Sequence, residues 1–72
     1  MYKAELVIDV HLTQTEHKVI RFLATGLTNR DIGDKLNISQ RTIQSHVSNM
    51  LGKTGLRNRT ELAHWAIKNN LA

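Results

Sequence analysis

The sequence contains no cysteine and no proline. Because cysteine is absent, neither disulfide bonds nor thiolate metal sites can stabilise the fold, and stability must come from packed apolar side chains. The lack of cysteine also fits the reducing cytoplasm, where we expect the protein to be located. A chain of 72 residues has room for one domain with a single small core.

Long hydrophobic runs are also missing. No apolar stretch approaches the roughly 20 residues that span a bilayer, and the first residues lack the apolar core of a signal peptide. The sequence therefore predicts a soluble protein without a membrane partner. The apolar patch Leu6-Val7-Ile8 has no helix-capping signal, so we interpret residues 1–11 as an extended tail or linker and residues 12–72 as the domain.

Residue groupings typical of active sites are absent as well. There is no glycine-rich phosphate loop, and no two of the four histidines, His11, His17, His46 and His64, are four residues apart. Ser45 and His46 are neighbours, but adjacent residues of a helix point about 100° apart, which does not suit a nucleophile and its base. The sequence predicts no catalytic residue, no metal site and no cofactor.

Positive charge is concentrated in the middle of the chain. Between Arg30 and Arg59 six basic side chains face only two acidic ones, whereas charges elsewhere cancel, so the whole net charge of +4 lies in this segment. A locally cationic surface indicates an anionic partner such as the phosphates of nucleic acid. The basic residues are Arg30, Lys35, Arg41, Lys53, Arg57 and Arg59.

Capping signals and apolar spacing predict four short helices. Thr13 and Glu16 form a capping box, in which each side chain accepts a hydrogen bond from the other residue's N–H. Outside the tail no segment has a strand-like pattern, so the predicted fold is all-α. The predicted helices run from Gln14 to Thr25, from Thr28 to Asn37, from Gln40 to about Leu51, and from Arg57 or Asn58 to about Asn69. The residues predicted to end the first three helices are Gly26, Asn37 and Gly55.

The segment from Thr28 to Val47 has the pattern of a helix-turn-helix. Ile32 and Leu36 lie four residues apart on one face, and the turn that follows is so short that the two helices must cross steeply. Gly33 lies where we expect the helix backbones to approach most closely, which a residue without Cβ permits at a helix-propensity cost of about 1 kcal/mol. The alternative is that Gly33 is only a tolerated weak helix position.

The third predicted helix has two different faces. Ile43, Val47, Met50 and Leu51 follow helical spacing, which predicts that this stripe packs against the core. The other face is either a surface that reads a partner or an ordinary solvated helix face. Its polar residues are Arg41, Gln44, Ser45 and Ser48.

A series of spaced residues continues this pattern from Leu12 to Leu71. It comprises Leu12-Thr13-x-x-Glu16-x-x-Val19-Ile20, Gly26-x-Thr28-Asn29-Arg30-x-Ile32, Leu36-x-Ile38-Ser39-x-x-Thr42-Ile43-x-x-His46, Lys53-x-Gly55-Leu56-x-x-Arg59 and Ala63. Together these residues resemble the LuxR/GerE (NarL-like) family, the four-helix helix-turn-helix DNA-binding domain of bacterial transcription regulators.

This resemblance implies a role for each helix. In that family the third helix enters the major groove, the second crosses the DNA backbone, and the fourth pairs two copies on DNA. The implied base contacts are Arg41, Gln44, Ser45 and Ser48. The implied phosphate contacts are Thr28, Arg30, Thr42, His46 and Lys53, and the implied dimer contacts are Glu61, His64, Trp65 and Lys68.

Three residues carry more specific expectations. Gln44 stands where the family usually has lysine, and an amide can pair with adenine but cannot neutralise a phosphate, so we expect an altered base preference and a shallower salt dependence. Glu16 is expected either to pair with Arg59 or to act in capping alone. Trp65 is expected either to fill the core or to be partly exposed at the dimer surface.

The sequence therefore predicts a sequence-specific DNA-binding domain of a bacterial transcription regulator, such as a response regulator, and not an enzyme. We expect promoter DNA as the partner, a monomer in solution and a weak homodimer on DNA. An upstream receiver or sensor domain is expected if the chain is a piece of a longer regulator. The alternative is a protein-interaction module, because some helix-turn-helix folds bind partner proteins.

Overall fold

Each helix begins where a polar side chain accepts a hydrogen bond from the backbone N–H of the helix's third residue. This bond satisfies one of the N–H groups that have no partner inside the helix. In a computed structural model, which describes residues 10–71, the helices are α1 (Gln14–Ala24), α2 (Asn29–Leu36), α3 (Gln40–Thr54) and α4 (Arg59–Lys68). The capping residues are Thr13, Thr28, Ser39 and Asn58, and the reciprocal box of Thr13 with Glu16 is complete.

The helix ends agree with the predicted ones, except that α3 is longer. Asn37 closes α2 with a left-handed φ of 59°, as predicted. We expected α3 to end near Leu51, where its apolar stripe stops, but it continues to Thr54. The helix ends at Gly55, as predicted from that glycine, whose φ of 73° costs glycine little and whose N–H donates to the carbonyl of Leu51.

The hydrophobic core draws residues from all four helices. Helix α1 contacts each of the other three helices, and α2 packs against α3. Trp65 is only 8% exposed, so the expectation that it fills the core is confirmed. The other buried apolar residues are Val19, Ile20, Leu23, Ile32, Ile43, Val47, Met50, Leu62 and Ala66.

Gly33 makes the close approach that its position in the helix-turn-helix predicts. A Cβ built on Gly33 would collide with the backbone carbonyl oxygen of Ile38 and would lie 3.5 Å from the N of Gln40. The neighbour is therefore the turn and the first residue of α3, rather than the middle of the α3 backbone. The N–H of Ile38 also donates to the Gly33 carbonyl oxygen over 2.9 Å, which holds the turn against α2.

The segment before α1 takes part in the fold as far as it is described. Val10, which we assigned to the tail, is partly buried and packs against the core together with Leu12. The apolar patch Leu6-Val7-Ile8 lies outside the described residues. Between residues 10 and 71 there is no helix long and apolar enough to span a membrane, and no group of three potential metal ligands.

Replacing the two helical glycines by alanine should have opposite effects on stability. Gly33→Ala should lower the free energy of unfolding by about 1–3 kcal/mol, because the Cβ overpacks against backbone that cannot move away cheaply. Gly52→Ala in α3 is the matched control, since a Cβ there meets nothing within 4 Å. It should raise stability by about 0.5–1 kcal/mol through helix propensity. Urea unfolding followed by circular dichroism measures both changes, and equal stabilisation by the two variants would contradict the close approach.

Candidate nucleic-acid interface

Helix α3 presents an exposed polar face opposite its buried stripe. Ile43, Val47 and Met50 are buried because positions three and four residues apart lie on the same side of a helix. That placement leaves the opposite side of α3 open to solvent. The four residues predicted to contact bases, Arg41, Gln44, Ser45 and Ser48, are all exposed.

The exposed face of α3 continues onto the start of α2. An open depression in the surface is lined by Asn29, Gln40, Arg41 and Gln44. Asn29 is the first residue of α2, and its Nδ2 donates to Gln44 Oε1 over 2.9 Å. The two helices of the helix-turn-helix therefore share one polar surface.

The two serines of this face are held by α3 itself. Gln44 Nε2 donates to Ser48 Oγ over 3.2 Å, one turn further along the helix. The Ser45 hydroxyl donates to the backbone carbonyl of Arg41 over 3.3 Å. Of the four residues, Arg41 and Gln44 have the longest reach toward a partner.

The residues predicted to contact phosphates have different surroundings. Arg30 is exposed in the first turn of α2, next to the capping residue Thr28. Thr42 is exposed near the start of α3, where its hydroxyl oxygen accepts a hydrogen bond from the Ser39 hydroxyl over 2.8 Å. His46 is partly buried.

Lys53 is occupied by contacts inside the domain. Its Nζ lies 2.6 Å from Glu16 Oε1 and also donates to the carbonyl oxygen of His11 over 3.2 Å. The Glu16 side chain is 3% exposed, so this ion pair is shielded on the side of the carboxylate. Because the ammonium is already paired, Lys53 has less to gain from a phosphate than Arg30.

Neither alternative for Glu16, pairing with Arg59 or capping alone, describes its contacts. The carboxylate of Glu16 accepts from the Thr13 N–H and pairs with Lys53, so it does more than cap α1. Arg59 instead donates to Asn29 Oδ1 and to the carbonyl oxygen of Leu27 over 2.7 Å. The sequence places all of these groups at element ends, but only the packing of the helices brings each pair together.

The pKa values of the Glu16 carboxyl and of the Arg59 guanidinium are both lowered, for different reasons. Burial of Glu16 raises the pKa of its carboxyl, but the hydrogen bonds from Lys53 and from the Thr13 N–H, together with the positive charge of Lys53, outweigh burial and lower it. Burial lowers the pKa of the Arg59 guanidinium because a charged group is poorly solvated there. The carboxylate of Glu16 is therefore the form that the fold prefers.

The residues predicted to form a dimer surface divide into two groups. Trp65 points into the core, so its assignment to an exposed surface is corrected by its burial. Glu61 is engaged within the domain, since its carboxylate accepts from the N–H and the guanidinium of Arg57. His64 and Lys68 are exposed and line an open depression together with Ile67, a large apolar side chain that is 54% exposed.

Asn29, Gln40 and Arg59 were not predicted to belong to the site, although Asn29 and Gln40 line the depression beside Gln44. Asn29 and Arg59 take part in the hydrogen bonds that reach Gln44. Both occurred among the spaced residues of the resemblance, yet neither was expected to contact Gln44 or its neighbours. The signal that could have found them is their position, since each is the first residue of a helix. Polar side chains at helix starts commonly bind backbone or side-chain groups nearby.

Comparison with known proteins finds one family and several relatives. The profile of the family described as bacterial regulatory proteins, luxR family, matches residues 10–66. The chain is 40% identical over 62 residues to the probable transcriptional regulator ycf29 of Pyropia yezoensis, covering 86% of the chain and 28% of that protein. It is 42% identical over 55 residues to the fimbriae Z protein of Escherichia coli K12, covering 76% of the chain and 26% of that protein.

A third relative has the same extent of similarity. The uncharacterized transcriptional regulatory protein YhcZ of Bacillus subtilis is 42% identical over 60 residues, covering 83% of the chain and 28% of that protein. The chain thus spans less than a third of the length of each of these relatives. The similarity concerns one domain of proteins that are considerably longer.

Neutralising Glu16 should weaken the fold in a pH-dependent way. The pKa of Glu16 lies below its ordinary value of about 4.5, so the carboxylate stabilises the fold fully above that value and this contribution is lost as the pH falls through the lowered pKa. At pH 7, Glu16→Gln should cost about 1–2 kcal/mol, less than a fully buried pair because the Lys53 side chain is 37% exposed.

Denaturant unfolding between pH 7 and pH 3 measures this effect. The difference in stability between the wild-type protein and Glu16→Gln should shrink as the solution becomes acidic. Asp34→Asn is the control, because Asp34 is an exposed carboxylate and its loss should change stability by less than about 0.5 kcal/mol. A difference between wild type and Glu16→Gln that stays constant down to pH 3 would show that the charge of Glu16 does not stabilise the fold.

Proposed function

The chain belongs to the luxR family of bacterial regulatory proteins and is a helix-turn-helix DNA-binding domain, and we propose that it reads promoter DNA by placing α3 in the major groove. The observation that carries this proposal is the exposed polar face of α3, which lies opposite the stripe of Ile43, Val47 and Met50. An α-helix fits the width of the major groove, and its outward side chains reach the base edges there. Membership of a family of regulatory proteins agrees with the prediction that the chain is not an enzyme.

In this arrangement Arg41 and Gln44 supply most of the choice of bases. A guanidinium can donate two parallel hydrogen bonds to the O6 and N7 of guanine, and an amide can pair with the N6 and N7 of adenine. Ser45 and Ser48 have short side chains that hydrogen-bond within α3, so they act through water or by permitting close approach of the helix. We therefore rank Arg41 and Gln44 above the two serines.

Phosphate contacts supply affinity and register without reading sequence. Arg30 is exposed in the first turn of α2, and it is the strongest candidate for such a contact. Thr28, Thr42 and His46 are further candidates, with Thr28 and Thr42 near the starts of α2 and α3. Lys53 ranks last, because it would have to leave Glu16 to reach a phosphate.

We assign α4 to pairing of two copies on adjacent half-sites. The exposed groups available for this contact are His64, Ile67 and Lys68, which line one open depression, whereas Trp65 is buried in the core. So small a patch gives weak self-association, which DNA strengthens by holding two copies side by side. A monomer in solution and a dimer on DNA follow from this assignment.

The remaining length of the relatives supports a proposal about a second domain. The chain spans less than a third of each relative described above, so a regulator of similar length would carry another domain beside this one. We propose that such a domain is a receiver or ligand sensor that controls access of α3 to DNA.

Loss of Gln44 and loss of Arg30 should differ in their effect on sequence preference. Gln44→Ala should cost about 1–3 kcal/mol on a selected site and relax one base position, because one base edge loses its partner. Arg30→Ala should weaken binding to all sequences alike. It should also lower the slope of log affinity against log salt by about 1, because binding then releases one counterion fewer from the DNA. In vitro site selection followed by titration of single-base variants measures both results.

Lys18→Ala is the matched control for removal of a positive charge, since Lys18 is exposed on α1 outside the cationic segment. Its salt slope should stay close to that of the wild-type protein. Losses that are equal and independent of sequence for Gln44→Ala and Arg30→Ala would contradict the base-reading role of α3. Failure to select any duplex would favour a protein-interaction module.

Removal of the apolar side chain of Ile67 at the proposed pairing surface should lower only the cooperativity with which two copies bind two half-sites. Ile67→Ser should leave affinity for a single half-site unchanged, because Ile67 lies on α4 and not on the α3 face. On a duplex with two half-sites it should reduce the cooperative gain by about three-fold or more, as expected for loss of one buried aliphatic contact. Electrophoretic mobility titrations on the two duplexes test this, and equal cooperativity would exclude Ile67 from the pairing surface.

A further inference from the structure

Four side chains form a continuous series of hydrogen bonds between α4 and the exposed face of α3. Arg59 Nη1 donates to Asn29 Oδ1, and Asn29 Nδ2 donates to Gln44 Oε1 over 2.9 Å. Gln44 Nε2 then donates to Ser48 Oγ over 3.2 Å. The series joins residues that lie on three helices and includes Gln44, which we propose to read a base.

The chemistry of arginine fixes the direction of every bond in this series. A guanidinium can only donate, so the Asn29 atom that faces Arg59 must be its carbonyl oxygen. The amide nitrogen of Asn29 then faces Gln44 and requires an acceptor, which only Oε1 of that side chain supplies. As a result the Gln44 nitrogen faces Ser48, and the amide is held in one of its two orientations.

The start of this series is itself held firmly. Arg59 is the first residue of α4, it is partly buried, and its Nη2 donates to the carbonyl oxygen of Leu27 over 2.7 Å. The Leu27 carbonyl oxygen therefore holds the guanidinium independently of its bond to Asn29. Asn29 is held in turn from both ends of its amide, by Arg59 and by Gln44.

The series leaves Gln44 with defined bonding capacity. Its carbonyl oxygen has a second lone pair and its nitrogen has a second hydrogen, so the amide can bind a partner without breaking either internal bond. One free acceptor and one free donor match the N6 amino group and the N7 of adenine, whereas the O6 and N7 of guanine are both acceptors. If the Gln44 amide could rotate by 180°, its oxygen and nitrogen would exchange places. A base edge with the reverse order of donor and acceptor would then also fit.

We propose that Asn29, held by Arg59, is a positioning residue that fixes the orientation of the Gln44 amide and thereby sets its preference for one base. The inference rests on the proposed base-reading role of α3. Asn29 acts through Gln44 and needs no contact with DNA of its own. Orientation before binding also removes part of the entropy cost of ordering a long side chain at an interface.

The first test needs no DNA. In the free full-length chain, the NMR order parameter of the Gln44 side-chain NH2 group should be high and should fall in Asn29→Ala. Asn49→Ala is the matched control, because Asn49 is an exposed asparagine on α3, the helix that carries Gln44. An order parameter for Gln44 that is unchanged in Asn29→Ala, with the fold intact by circular dichroism, would overturn the inference.

The second test measures base preference on duplexes from site selection. Asn29→Ala should reduce discrimination at the base position that Gln44→Ala identifies by about three- to ten-fold, the range expected from freeing one immobilised side chain. Other positions should keep their discrimination. In the Gln44→Ala background the further change from Asn29→Ala should vanish, because no amide remains to be oriented.

Asn29→Asp provides a second variant that keeps the partner of Arg59. An ionised aspartate still accepts from the guanidinium but has no donor for Gln44 Oε1, so discrimination should fall as it does in Asn29→Ala. Asn49→Asp controls for the added negative charge, which should weaken binding to all sequences alike. Rescue of full discrimination by Asn29→Asp would overturn the inference, since it would show that only the contact with Arg59 matters.

The outcomes separate this inference from the proposed function. If Gln44→Ala relaxes no base position, the base-reading assignment of Gln44 fails and the inference fails with it. If Gln44→Ala relaxes a position but the two Asn29 variants do not, only the inference is overturned. A loss that persists in the Gln44→Ala background would mean that Asn29 contacts DNA directly, and it would also overturn the positioning role.

Discussion

Burial of one side of α3 determines how the rest of the molecule is arranged. Ile43, Val47 and Met50 are packed among the other helices, and each buried side chain of this kind stabilises the fold by about 1.5–3 kcal/mol relative to exposure. A helix anchored along one side cannot rotate without exposing that stripe. The opposite side, with Arg41 and Gln44, is therefore kept outward even though the domain has no disulfide to hold it.

The polar contacts divide the cationic residues into those that hold the domain together and those that remain available to a partner. Lys53 and Arg59 bind groups of the protein itself, while Arg30 and Arg41 are exposed around the α2 and α3 surface. The net charge of the sequence does not distinguish the paired from the exposed cations, because each side chain contributes one positive charge to it. The surface that can meet phosphates is smaller than the clustering of charge in the sequence indicates.

The helix-turn-helix is held by backbone contact as well as by side-chain packing. Gly33 lets the turn lie directly on α2, so the first residues of α3 start at a fixed place relative to Asn29. That placement allows the hydrogen bond from Asn29 to Gln44, which crosses from one helix to the other. Close packing of the turn at Gly33 therefore contributes to the orientation of the Gln44 side chain on the surface.

The sequence by itself determined the features that depend on near neighbours in the chain. The capping box of Thr13 and Glu16, the left-handed end at Asn37 and the buried side of α3 follow from spacings of a few residues, and all were predicted correctly. Only the tertiary structure decided the side-chain partners of Lys53 and Arg59, namely Glu16 and Asn29, which lie 37 and 30 residues away in the chain. It also decided the inward position of Trp65. Local propensity cannot encode such contacts, because they depend on how the helices pack, and packing is the sum of many small apolar terms spread over the whole core.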